Sequence, residues 1–222
     1  MKAMVCEAFG GPEVLALRDL PDPPPPGPGE LQVRIGARGV QYVDVLMLAG
    51  KYQFRPEPPF IPGGEAAGVV TAVGTGVADF NVGDQVMSRH TLGACAELGN
   101  AKAALCDKVP AGMSIEHAGV FRGAYATAYH ALLQRGRMVA GEWVLVHGAA
   151  GGIGIDAIGV RIGGLSEANP ALALANMKAL VELAAQGKLK PRISHRFRLD
   201  QAAQALRAVI DRAVIGKAVL VG

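Results

Sequence analysis

Hydrophobic and polar positions alternate with a period of two in the first half of the chain. Leu31, Val33 and Ile35 alternate with Gln32 and Arg34, the pattern of a strand with one buried face. β-Branched runs follow at Gly68–Val73 and Gln85–Met87, and turn residues separate them at short intervals. Residues 1 to about 110 therefore read as a β-rich unit, a barrel or a sandwich. The proline-rich stretch 21–30 between two such strands reads as a short rigid connector.

From Ser114 the period lengthens. Ser114, with Glu116 and His117 behind it, predicts a helix N-cap, and Ala124–Leu133 predicts a small-residue helix. Glu142–His147 reads as a buried strand. Asn169 and Pro170 open a helix to about Gln186, with Leu172, Leu174, Met177, Leu180 and Val181 on its apolar side and Gly187 as the stop. Asp200 is expected to cap a last helix, Gln201–Arg212, which buries Ala202, Ala205, Leu206 and Val209. Lys217–Val221 reads as a closing strand.

Composition narrows the function classes. Half of the 222 residues are hydrophobic and 18% are charged, enough for a packed core. The net charge of +3 comes from 22 basic and 19 acidic residues, interspersed, so neither nucleic acid nor a membrane surface is an expected partner. Neither a secretory leader nor a membrane span is recognisable, and Cys6, Cys95 and Cys106 show no C-x-x-C spacing. A cytoplasmic protein with reduced thiols is expected. None of the four serines stands in G-x-S-x-G, which leaves a serine-elbow hydrolase unsupported. Cys95 with His90 or His130 is a conceivable thiol–imidazole pair, although buried structural cysteine is the commoner case.

The glycine-rich turn after His147 opens as a dinucleotide-binding fold does. A helix and a second strand should follow. Instead the chain passes to Ala157–Ile162 and two more glycines.

The stretches 62–77, 82–87, 126–138, 141–154 and 187–222 resemble, in order, the zinc-independent branch of the medium-chain dehydrogenase/reductase superfamily, the quinone oxidoreductases related to zeta-crystallin. The resemblance implies an α+β, mostly β fold: a GroES-like β-barrel catalytic domain (1–125), a truncated Rossmann remnant (126–165, strands 142–147 and 155–162), and C-terminal helices in a part (166–222) returning to the catalytic domain. It implies NADPH as cofactor and a quinone or enone as substrate.

Its site residues carry over by position. Tyr52 and Thr127 match positions bordering the nicotinamide, and Gln41-x-x-Asp44 stands where the family has Asn-x-x-Asp. The longer Gln would displace a contact set by Asn. Ala149, Gly151, Gly152, Ile153 and Gly154 match the pyrophosphate loop. Gly63-Gly64-Glu65 replaces the Gly-His-Glu of zinc-dependent relatives, leaving one carboxylate at most, and no metal is expected.

The family's remaining Rossmann strands and helices, on the order of a hundred residues, are missing after Gly154. The two strands retained would be the first and sixth of the sheet, about 14 Å apart in the intact fold. Without the helix the loop loses most of its anion donors, and NADPH affinity of millimolar or weaker is expected, with hydride transfer impaired. The expected assembly is a homo-oligomer through the exposed remnant. The alternative is a cofactor-independent role, either an oligomeric scaffold or an adapted small-molecule pocket.

Overall fold

The computed structural model describes residues 1–139, 141–143 and 168–222. β1 (Lys2–Cys6) and β2 (Leu15–Asp19) form an antiparallel pair. The longest strand, β3 (Glu30–Val40), is the spine of a second sheet. One edge of β3 pairs antiparallel with β4 (Glu65–Val73). Its other edge is shared: Glu30–Arg34 pair with β6 (Leu98–Lys102), and Ala37–Val40 pair with the C-terminal strand β9 (Lys217–Val221). The β3–β4 register shifts between Ile35 and Ala37, just where β3 changes partner on its other edge. A bulge bends a strand and increases its twist, which lets one strand serve two partners.

The sheet continues from β4 to β5 (Gln85–Arg89) and β7 (Cys106–Lys108), and from β9 to β8 (Ile193–Arg198). Bridges from Ala3 to Ala96 and from Cys6 to Phe60 tie β1 to the loops opposite. Inside lie Leu31, Val33, Ile35, Val70 and Val86, at most 2% exposed. Full burial of such a side chain stabilises by about 1.5–3 kcal/mol.

The helices cover the sheet. α1 (Tyr42–Leu48) follows β3 directly. α2 (Ile115–Ala118) is capped by the Ser114 hydroxyl, which accepts from His117 N at 3.3 Å, as the sequence predicts. α3 (Arg122–Tyr129) runs on into a π-turn, His130–Arg135, extending the predicted small-residue helix at both ends. α4 (Pro170–Ala185) starts where Asn169 and Pro170 predict; Asn169 Oδ1 accepts from Leu172 N at 3.0 Å. Its Met177, Leu180 and Ala184 pack against Phe121 and Ala126.

Two helix expectations need correction. Leu174 is 47% exposed, while polar Asn176 is 4% exposed on the packed face, because Gln134 satisfies its amide. Asp200 does not cap the last helix. Leu199 is drawn into the core and starts a 3-10 turn two residues early, Gln201 Oε1 accepts from Arg198 N, and Asp200 pairs with the Arg198 guanidinium. α5 (Ala202–Ile210) then buries Ala202, Ala205 and Leu206 against β1 and β9.

The predicted strands 142–147 and 155–162 lie outside the described residues, apart from Glu142 and Trp143, which are irregular. Among the described residues no helix is long and apolar enough to cross a membrane.

Candidate functional site

Three elements place the candidate residues. β3 ends at Val40, and Gln41 takes an extended conformation as the N-cap of α1, with Asp44 in the helix's first turn. The Asp44 carboxyl returns to this junction, where Oδ2 accepts from Gln41 N at 2.8 Å. Asp44 is 5% exposed and its Oδ1 has no hydrogen-bond partner. Burial pushes its pKa up to about 7; the Gln41 N–H bond works against that, and the negative charge of Glu65 adds to it. Asp44 thus acts on its own helix start.

Glu65 heads β4 and is 3% exposed. Its Oε1 accepts from Gln41 Nε2 at 2.6 Å, and its Oε2 accepts from the backbone N–H of Gly123, in the first turn of α3, at 2.8 Å. Two glycines make room: a Cβ on Gly39 would stand 2.5 Å from Glu65 Oε1, and one on Gly123 would stand 2.9 Å from Gln41 Nε2. Opposite charge is supplied by Lys217 on β9 and Arg122 on α3, both of which feel the Glu65 charge. The sequence reading treated Glu65 only as the remnant of a metal motif. The overlooked signal is a lone carboxylate opening a strand otherwise made of Ala, Gly, Val and one Thr, because a buried charge needs partners.

Thr127 lies one turn into α3, and its hydroxyl donates to Gly123 O at 2.7 Å, a bond to its own helix backbone. Tyr52 is half-buried after α1 and accepts from Gln53 Nε2 at 3.3 Å. The structure therefore links Gln41, Asp44 and Thr127 through Glu65 and Gly123, whereas Tyr52 shares no hydrogen bond with them among the described residues. An open, mostly apolar hollow of about 600 Å³ near Val5, Arg18, Phe60 and Ile61 is lined by none of the four. Its lining includes Glu7 and Arg18 but none of the candidate residues, so the polar junction is the better candidate.

The thiol–imidazole pair does not form. His90 Nε2 is bonded to Ser88 Oγ at 2.8 Å, and His130 Nδ1 to Gln134 Oε1 at 2.6 Å. Burial, aided by the charge of Asp44, pushes the Cys95 thiol up to about 12. Among the described residues no three His, Cys, Asp or Glu side chains cluster closely enough to hold a metal ion.

The family models match in two overlapping parts, an alcohol dehydrogenase GroES-like domain over residues 27–139 and a zinc-binding dehydrogenase domain over 111–220. The chain belongs to the medium-chain dehydrogenase/reductase family, in its quinone oxidoreductase branch. It is 38% identical over 159 residues to the human synaptic vesicle membrane protein VAT-1 homolog, and 37% identical over 158 residues to human quinone oxidoreductase. Each match covers 71% of this chain but only 40% and 48% of those proteins, so the chain spans less than half the length of either. A probable oxidoreductase from Mycobacterium abscessus superposes with a TM-score of 0.93 at 27% identity, covering 100% of this chain and 99% of that one. The Escherichia coli quinone oxidoreductase complexed with NADPH superposes with a TM-score of 0.85 at 21% identity, covering 100% of both chains, and shares the fold.

The GroES-like match over residues 27–139 takes in β3 to β7 and α1 to α3. The expected cofactor-loop positions Ala149, Gly151, Gly152, Ile153 and Gly154 lie outside the described residues.

Proposed function

We propose that this chain is, by descent, an NADPH-dependent quinone or enone oxidoreductase, free of zinc, whose hydride transfer is impaired by a shortened nucleotide-binding part. The observation that carries this reading is the distance along the chain between the π-turn and α4. Residues 136–169 are all that connects them. A single βαβ unit takes about 30 residues or more, and a dinucleotide fold needs two βαβαβ halves. The proposed division is a catalytic domain over 1–125, a nucleotide-domain remnant over 126–165, and a return to the catalytic domain over 166–222.

NADPH supplies the hydride when bound. The fit of the described residues to it is partial: they offer polar atoms at the Gln41–Glu65–Gly123 junction but no cradle for phosphate, since the glycine loop lies outside them. The protein's part is orientation and exclusion of water. The Gln41 amide, held by Glu65, and Tyr52 border the substrate side, while Thr127 stands on the helix facing it. Gly63 and Gly64 leave Glu65 without the neighbouring ligands a zinc would need, and the Glu65 oxygens are engaged by Gln41 and Gly123.

Calorimetric titration with NADPH to millimolar concentration tests the reading, alongside NADPH oxidation in the presence of a quinone. The expected result is binding at millimolar or weaker affinity with slow or undetectable turnover. Micromolar saturable binding with brisk turnover would show that the cofactor site is whole and the impairment wrong.

A second reading, a cofactor-independent homo-oligomer, is favoured by Leu133 and Leu174, which are 40% and 47% exposed on α3's π-turn and α4. Light scattering that finds a monomer at micromolar concentration would remove it.

A further inference from the structure

Glu65 does more than fill a place beside the missing metal motif. Its two oxygens accept from groups on different elements, the Gln41 side chain at the start of α1 and the Gly123 N–H at the start of α3. Gly123 O in turn receives the Thr127 hydroxyl at 2.7 Å. Rotation of the Gln41 amide would turn its Oε1 toward the Glu65 carboxylate, acceptor against acceptor, so the carboxylate selects a single amide orientation. Gly39 and Gly123 cannot carry a side chain without entering this contact, so the backbone is shaped around it.

We propose that Glu65 is the positioning residue of the candidate site, fixing the Gln41 amide and, through Gly123, the register of α3 that carries Thr127. The carbonyl oxygen of the Gln41 amide is thereby turned away from Glu65, while its N–H stays bound to the protein. This deepens the oxidoreductase reading and rests on it only for the kinetic part of the test.

The test uses the full chain labelled with ¹⁵N, with the Gln41 side-chain signals assigned by their loss in Gln41→Glu. In the wild type the Gln41 amide protons are expected to exchange with solvent roughly 10- to 100-fold more slowly than those of exposed Gln204, as a hydrogen bond to a carboxylate implies. Exchange at the Gln204 rate in the wild type overturns the proposal. Glu65→Gln removes one acceptor while both donors remain, so protection of Gln41 should fall to the Gln204 level. In the exchanged pair Glu65→Gln/Gln41→Glu, protection should return on the amide introduced at position 65; failure to return overturns the proposal in favour of simple core filling.

Should Glu65→Gln not fold, Gly123→Ala presses on the same contact from the other side, since its Cβ would meet Gln41 Nε2 at 2.9 Å and Glu65 Oε2 at 3.2 Å. Unchanged Gln41 protection in that variant counts against the proposal. If the wild type turns over a quinone, Glu65→Gln should lower kcat about tenfold or more with KM little changed. A wild type without turnover agrees with the impaired oxidoreductase reading, and the amide result then decides the role of Glu65 by itself.

Discussion

The side-chain amides of Gln134 and Asn176 lie head to tail. Gln134 Nε2 donates to Asn176 Oδ1 at 2.6 Å, and Asn176 Nδ2 donates to Gln134 Oε1 at 2.8 Å. This pair joins the π-turn at the end of α3 to the buried face of α4, whose other contacts there are apolar. A π-turn adds a residue to the helix and re-aims the side chains that follow it.

Breaking one half of the pair should cost more than removing both. Asn176→Leu keeps the branching and heavy-atom count but strands the Gln134 donor in a packed interface, with an expected loss of about 1–3 kcal/mol. Gln134→Met/Asn176→Leu should recover most of it. Urea denaturation of the four proteins gives the coupling, and strictly additive losses would show that the amides do not act together.

Asp44 should make the fold more stable in mild acid. Its folded pKa, raised by burial to about 7, lies above the ordinary 3.8. A raised pKa contributes stability that is fully present below the unfolded value and is lost as pH rises through the folded one. Stability should therefore decline between about pH 4 and pH 7, by on the order of 4 kcal/mol from this group alone. Asp44→Asn keeps an oxygen for Gln41 N and should flatten that decline. Equal slopes in the two proteins would mean that Asp44 is already ionised in the folded state.

His90 has the opposite sign. Burial holds its pKa down at about 4, below the ordinary 6.5, with the ring on Ser88 Oγ. Its contribution is present above pH 6.5 and lost as pH falls through about 4. The imidazole resonances of His90 should stay flat from pH 8 to pH 5. A midpoint near 6.5 would show that water reaches the ring.

The thiols should be silent in the native protein. Cys6, Cys95 and Cys106 are free and buried, and burial pushes the last two up to about 12 and about 11. At pH 8 a disulfide reagent should label them only at the rate of unfolding. Fast labelling of Cys95 in folded protein would reopen its candidacy as a nucleophile.

Legibility from sequence followed the range of the interactions. The strands around Val33, Val70 and Val86 and the helix opening at Asn169 were readable, because alternation and capping are set by neighbours along the chain. α1 was not read, since its only local signals are Gln41 and Asp44, and these also fit a substrate motif. β6, β7 and β8 were not read either. They are short or polar on both faces and exist because β3, β5 and β9 supply partners. Leu174 was assigned to the apolar side of its helix but is exposed, and the buried Asn176 was not read at all, as a periodicity count cannot see that Gln134 waits opposite.

By itself the sequence determined the family, the β-rich first half, and the helix starts at Ser114 and Asn169. All of these are written in residues adjacent along the chain. Only the tertiary structure decided what Glu65 does, because its partners Gln41 and Gly123 are 24 and 58 residues away and meet it only when β4 is laid between α1 and α3. It also decided the states of Asp44 and His90, since their pKa values follow from burial, which is a property of the packed core and not of any local stretch of chain.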